Sequence, residues 1–382
     1  MRSAVKILVA VLMLAALPAR AQTWQHMPVN GTPGKDWPFA RGWNRVVYDS
    51  HLHKVLFYGA QNAGCAGGIW ANSLWAYDAG KNTWEMKTWS GSWPDIANCT
   101  GIFSKDSATH PGDRHPYHTM AYDTLRNRLY IFSGGEDYIK CDGTRHGTCS
   151  YNDTYHYDSR AEQAPVGQGW VQDCNPCAPE NHAEGAMAYD SDHDVIVMYG
   201  GLRTGSAVAD TWEYSAKKNA WSKASSGGRP GNRFRHSMVY DTVNHKIVMF
   251  GGALMGIGSG IMSDVWLYDS GKHAWTNPKP PTQPPPVRFP ALAFDSKRGL
   301  VCLHTGLGAD DGDDWTYDVA RNTWTHLPIK SGPVHGGVAN FITMTYDPSA
   351  DVLVLATHGD TSAADVWQLR LGGSTERGAT GE

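Results

Sequence analysis

The sequence predicts an all-β chain built as a six-bladed β-propeller, and three observations lead to that fold class. An aromatic residue followed by aspartate closes a short apolar run six times, at Tyr48-Asp49, Tyr122-Asp123, Tyr189-Asp190, Tyr240-Asp241, Phe294-Asp295 and Tyr346-Asp347. The intervals are 74, 67, 51, 54 and 52 residues, and a period near 50 residues with several short strands per unit is how propellers read in sequence. The unit is plainest between Arg233 and Thr276. There, runs at 236–241 and 246–250 flank a tight polar turn, and further runs follow at 264–268 and 274–277.

At the start of the chain, Arg2 and Lys6 precede an apolar run from Ile7 to Leu17 and the segment Pro18-Ala19-Arg20-Ala21. A positive start, a short apolar stretch and an A-x-A ending read as a secretory signal. The domain reading is therefore a signal peptide at 1–21, the propeller at 22–370 and a disordered tail at 371–382, in a secreted or periplasmic protein. No later stretch approaches the roughly 20 apolar residues of a spanning helix, so no membrane span is expected. Removing Arg2, Lys6 and Arg20 from the 33 basic residues leaves 30 against 37 acidic ones. That balance argues against nucleic acid as a partner.

Each outer strand carries a tryptophan after a polar turn, as in Lys81-Asn82-Thr83-Trp84, Lys218-Asn219-Ala220-Trp221 and Arg321-Asn322-Thr323-Trp324. The sixth repeat ends in Asp365-Val366-Trp367-Gln368-Leu369 and a polar tail, so its fourth strand is missing. Thr23-Trp24-Gln25-His26-Met27-Pro28 mirrors Thr323-Trp324-Thr325-His326-Leu327-Pro328, and the N-terminal strand is expected to close the last blade and remove an open sheet edge. First-to-second and third-to-fourth connections read as short turns in every blade, leaving the long segments together on the opposite face. Function on a rigid frame sits on such loops.

Second strands ending in Gly134-Gly135, Gly200-Gly201 and Gly251-Gly252, with the spaced Tyr and Trp, resemble the kelch-repeat family and the galactose-oxidase-like propeller superfamily. The resemblance covers essentially the whole chain after the signal. It implies the fold and leaves activity open. Kelch-type lyases and sialic acid mutarotases allow a carbohydrate-active enzyme. The Tyr, His and Cys ligand set of galactose oxidase cannot be placed here, and the E-x-x-x-D-x-x-x-H iron motif of nitrile-specifier proteins has no match.

Six of the seven cysteines fall on long connections. In an exported chain they read as disulfides, Cys65–Cys99, Cys141–Cys149 and Cys174–Cys177, with other pairings open and a four-cysteine zinc site from the last four as the alternative. Cys302 reads as a buried thiol.

Blades 5 and 6 lose the diglycine and carry His304-Thr305-Gly306 and Thr357-His358-Gly359 instead, with Asp310 and His335 nearby in sequence. Two histidines near the channel rim with a carboxylate would suit a divalent transition metal or acid/base work. Alternatively they bond backbone groups freed where the glycines are lost. A second set lies at the entrances to the inner strands: Arg41, Arg114, His118, His182, Glu184, Arg233, Arg235, His236 and Arg288. Converging guanidinium groups would favour an acidic ligand, and inter-blade hydrogen bonding is the competing role. Tyr138, with Trp89 and Trp93, offers an aromatic on a long loop for stacking.

The function reading is a module binding a glycan or a protein through its long-loop face. A carbohydrate lyase or epimerase using His304, His358, His236 and Arg233 is one alternative, and a His-based metal enzyme is the other. The sequence fixes neither the ligand nor the oligomeric state.

Overall fold

A computed structural model of the chain describes residues 22–29, 45–59, 61–62, 69–70, 72–88, 109–112, 114, 116–136, 149–161, 169–224, 228–255, 260–306, 314–329, 332–333, 342–358 and 364–372. Among them are six four-stranded antiparallel sheets. Blade 1 runs outward as Val46–Asp49, Lys54–Tyr58, Leu74–Asp78 and Thr83–Thr88, and blade 2 as Met120–Asp123, Arg128–Phe132, Thr154–Asp158 and Trp170–Cys174. Blade 3 comprises Ala186–Asp190, Val195–Tyr199, Thr211–Ser215 and Ala220–Ala224; blade 4 comprises Ser237–Asp241, Lys246–Phe250, Val265–Asp269 and Ala274–Thr276. Blade 5 holds Ala291–Asp295, Leu300–His304, Asp314–Asp318 and Thr323–Leu327. Blade 6 holds Thr343–Asp347, Val352–His358 and Ala364–Leu369, and its outer strand is Trp24–Met27, with Trp24 opposite Leu369 and Met27 opposite Val366. The N-terminal strand therefore closes the ring.

The six Tyr/Phe-Asp pairs have a physical reason. Each aspartate accepts the backbone N–H groups two and three residues ahead: Asp49 from His51 and Leu52, Asp241 from Val243 and Asn244, Asp347 from Ser349 and Ala350. The carboxylate satisfies the turn's free donors. The fourth turn residue takes a left-handed conformation, as at His53, Asn127, Asp194, His245 and Asp351. The asparagine of the outer turns does a second job. Tyr77, Tyr214 and Tyr317 donate to Asn82, Asn219 and Asn322, and each asparagine amide donates to a carbonyl of the preceding blade, at Pro28, Asp173 and Pro278.

Neighbouring blades are joined by the outer-strand tryptophans. Trp170, Trp221, Trp275 and Trp324 pack on Tyr58, Phe132, Tyr199 and Phe250, the aromatics at the end of the preceding blade's second strand, with centroids 4.8–5.1 Å apart. Three of the indoles donate to the preceding blade as well, Trp170 to Thr88, Trp221 to Thr154 and Trp275 to Thr211. The diglycine belongs to the same joint. A Cβ on Gly200 would lie 2.5 Å from the Arg233 carbonyl oxygen and one on Gly201 2.7 Å from that of Ala183. Both glycines have positive φ, so only residues lacking Cβ fit there.

Two expectations change. The third-to-fourth connection of blade 2 is no tight turn but residues 159–169, opening with a 3-10 turn at Ser159–Ala161 whose serine hydroxyl donates to Asp49 of blade 1. Order also extends past residue 370, because Leu371 is buried and its carbonyl accepts from Arg298. Residues 373–382 and the segment 1–21 lie outside the described residues.

Candidate functional site

His304 is not at the channel rim. It occupies the position held by Tyr58, Phe132, Tyr199 and Phe250 in other blades, fully buried, its ring edge-on to Trp24 at 5.6 Å. Its Nδ1 lies 3.0 Å from an oxygen of Asp314, and the other oxygen accepts the Trp24 indole N–H at 2.9 Å. His304 is thus the aromatic half of the joint between blades 5 and 6. His358 stands two positions further along its strand than His304 does in blade 5, so the two are not equivalent. The side chain of His358, and all of His335 and Asp310, lie outside the described residues. Among the described residues no three His, Cys, Asp or Glu side chains are grouped to hold a metal ion.

The entrance arginines do not converge. Arg114 forms a two-pronged ion pair with Asp153 of its own blade, at 2.5 and 3.0 Å, and donates to the Ser133 carbonyl. Arg233 pairs with Asp264 at 2.9 Å through both nitrogens and donates to Gly251 and Pro230. Both are almost wholly buried, and each ties the entrance of a blade to its third strand. His182 fills the corresponding place in blade 3, with Nδ1 on the Glu180 carbonyl and its pKa lowered by burial. Arg288 is exposed. Arg41, Tyr138, Cys65, Cys99 and Cys141 lie outside the described residues, as does the side chain of Cys149. Of the expected disulfides, Cys174–Cys177 is formed, and Cys302 is a buried free thiol.

Four other side chains do meet at the channel, by a backbone device. Tyr117, Glu184, Arg235 and Phe289 each stand six residues before the aspartate that ends the inner strand in blades 2 to 5, and all have positive φ, between 47° and 61°. Non-glycine residues rarely adopt this conformation. Here the kinks are held by hydrogen bonds from one blade to the next, Arg235 N–H to Glu184 O at 2.8 Å and Phe289 N–H to Arg235 O at 2.7 Å. Tyr117 and Phe289 stack 6.5 Å apart with ring planes 14° from parallel, Arg235 lies 5.0 Å over the Phe289 ring, and its guanidinium is paired with Glu184. These four residues meet at the long-loop end of the channel.

Beneath that cap lies a residue for which the sequence offers little signal. Arg45, at the entrance to blade 1, donates through Nη1 to the carbonyls of His118 and Met187 and through Nη2 to that of Met238, reaching blades 2, 3 and 4. Burial lowers its pKa to about 10. His118 sends its Nδ1 to the His236 carbonyl at 2.8 Å, with the Ser237 hydroxyl 3.1 Å away. Burial, then the charge of Arg45, lowers the His118 pKa to about 3. His236 is fully buried, and desolvation followed by the charges of Arg233 and His118 moves it in the same direction. Both imidazoles are therefore neutral near pH 7 and sealed from solvent.

From Arg45 the channel continues to the short-turn face as a cavity of about 250 Å³, bounded there by Tyr122, Tyr189 and Tyr240 and the exposed turn residues Thr124, Ser191 and Thr242. Among the described residues its lining runs from Arg45 to the exposed turns of that face.

The comparisons with known proteins agree with this architecture. The family model of the KLHDC2/KLHL20/DRC7 Kelch-repeats domain matches residues 117–353. The chain belongs to the kelch-repeat family. A relative, Mei4-dependent protein 6 of Schizosaccharomyces pombe, is 26% identical over 158 residues, covering 38% of this chain and 23% of the relative. The match thus spans under a quarter of that protein's length. As a kelch propeller, the chain has a fold suited to binding proteins, and no helix among the described residues is long and apolar enough to cross a membrane.

Proposed function

We propose that this kelch propeller is a protein-docking module that works through its long-loop face in an oxidising compartment outside the cytoplasm. The observation that carries the reading is the layer of contacts that Tyr117, Phe289 and the Arg235–Glu184 pair form over the channel on that face. A capped face offers a surface to another macromolecule rather than a deep pocket to a small one. Around the cap rise two-stranded ribbons, Leu202–Arg203 with Ser206–Ala207 and Arg233–Phe234 with Ala253–Leu254. Beside the second ribbon, Met255 and Ile261 are 48% and 42% exposed, with Arg235 between the rings of Phe234 and Phe289. Exposed apolar residues around an arginine held on aromatics are the makings of an interface centre.

The test is co-purification from the native compartment with wild-type protein and with a Met255→Glu, Ile261→Glu double variant. A partner lost from the variant, with its melting temperature unchanged, supports the reading; equal recovery of every partner overturns it. An acidic glycan is the second reading, favoured by the same aromatic-flanked Arg235, and a glycan array with an Arg235→Gln variant separates the two. The N-terminal pattern and the Cys174–Cys177 disulfide support this choice of compartment. Mass spectrometry of protein from the periplasm or medium beginning at Gln22 would support export, and recovery of the whole chain from the cytoplasm would overturn it.

A further inference from the structure

We propose that the central channel binds a small monocarboxylic acid with an apolar tail, carboxylate inward on Arg45, entering from the short-turn face. Arg45 is 8% exposed and lines the cavity at the end away from the short turns. Three of the five N–H groups of its guanidinium are on backbone carbonyls, and among the described residues no carboxylate is paired with it. Two other buried arginines near blade entrances, Arg114 and Arg233, each have a bidentate aspartate. A guanidinium taken out of water without a counter-charge is unfavourable, and carbonyl dipoles offset part of that. An entering carboxylate would supply the charge through charge-assisted hydrogen bonds.

The walls define the remainder of the ligand. Above Arg45 the bore is lined by Val47, Ala121, Ala188, Val239 and Ala293, with Thr345 in the same place in blade 6, a mostly apolar tube suited to an alkyl or aryl body. The volume of about 250 Å³ restricts that body to a few carbons or one ring. The mouth sets the charge. Asp49, Asp123, Asp190, Asp241, Asp295 and Asp347 end the six inner strands there, buried and facing the turn N–H groups. Their field admits a monoanion more readily than sulfate or phosphate.

This site lies on the face opposite the proposed docking surface, so the two readings fail separately. Isothermal titration of the full chain with butyrate, octanoate and benzoate should show saturable one-to-one binding by at least one of them, with benzamide and sulfate about tenfold weaker or more. Arg45→Met should weaken that binding by about tenfold or more. Ala188→Leu, which fills the bore and leaves Arg45 in place, should abolish it without affecting partner capture. No binding of any of the three acids to folded wild-type protein overturns the proposal, as does equal binding of benzamide or undiminished binding in Ala188→Leu. Should Arg45→Met fail to fold, the benzamide and Ala188→Leu comparisons decide.

Discussion

Trp275 of blade 4 donates its indole N–H to the hydroxyl of Thr211 on blade 3 at 2.9 Å, and the same joint between blades 4 and 5 lacks its acceptor. There the tryptophan is Trp324 and the residue in the place of Thr211 is Val265, the first of its strand. The Trp324 Nε1 is buried without a partner among the described residues. Blade 1 repeats the defect, with Trp84 against Val366 of blade 6.

Val265→Thr is therefore expected to stabilise the protein by about 1 kcal/mol, since it gives a buried donor its acceptor with little change of shape. Thr211→Val should do the opposite and cost about 1–3 kcal/mol by stranding the Trp275 N–H. Denaturant midpoints of the two variants check the pair. A Val265→Thr protein no more stable than the parent would show that the hydroxyl cannot reach Trp324.

The Trp24, Asp314 and His304 cluster makes a second expectation. Trp24→Ala removes a core side chain and the indole bond to Asp314 at the joint that closes the ring, and should cost about 3–5 kcal/mol. His304→Ala should cost about 1–3 kcal/mol by leaving Asp314 short of a donor. Gln25→Ala, exposed on the same strand, should be nearly silent. Circular dichroism melts of the three discriminate a closing strand from a loosely attached one, for which all three would melt alike.

Acid should destabilise the fold before its carboxylates titrate. The folded-state pKa of His118 is about 3, against about 6.5 in an unfolded chain. Between those values the unfolded chain binds a proton that the fold refuses. Stability from this group is thus complete above pH 6.5 and falls by about 1.4 kcal/mol per pH unit below it. His236 acts in the same direction. Urea midpoints at pH 7.5, 6 and 5 should fall steadily, and His118→Asn, whose amide can replace the Nδ1–H donor, should flatten the slope. An identical slope in that variant would assign the effect elsewhere.

Cys302 should resist alkylation in the native protein, because burial raises its pKa and hides its sulfur. Iodoacetamide labelling followed by peptide mapping should find it modified after denaturation alone. Labelling of Cys174 and Cys177 should in turn require reduction. Modification of Cys302 under native conditions would mean that blade 5 opens readily.

The repeat, the blade count and the closing strand were legible in the sequence because each depends on local chemistry: an aspartate capping a four-residue turn, a tryptophan after an Asn turn, alternating apolar runs. Trp24 could be placed from its own neighbours, since its segment repeats that of Trp324. The site was legible in part. Glu184 and Arg235 were named for their types, but their pairing depends on left-handed kinks that bring blades 3 and 4 together at the mouth. His304 looked chemical because it stands where blade 5 loses the diglycine, yet its surroundings are Trp24 and Asp314, 280 and 10 residues away in the chain. Arg45 shows the limit best. Its partners are carbonyls from three other blades, and a carbonyl carries no residue-specific signature in sequence. Ring closure, which brings distant backbone to a common axis, decided that an arginine held by carbonyls of three blades would lie at the centre of the molecule.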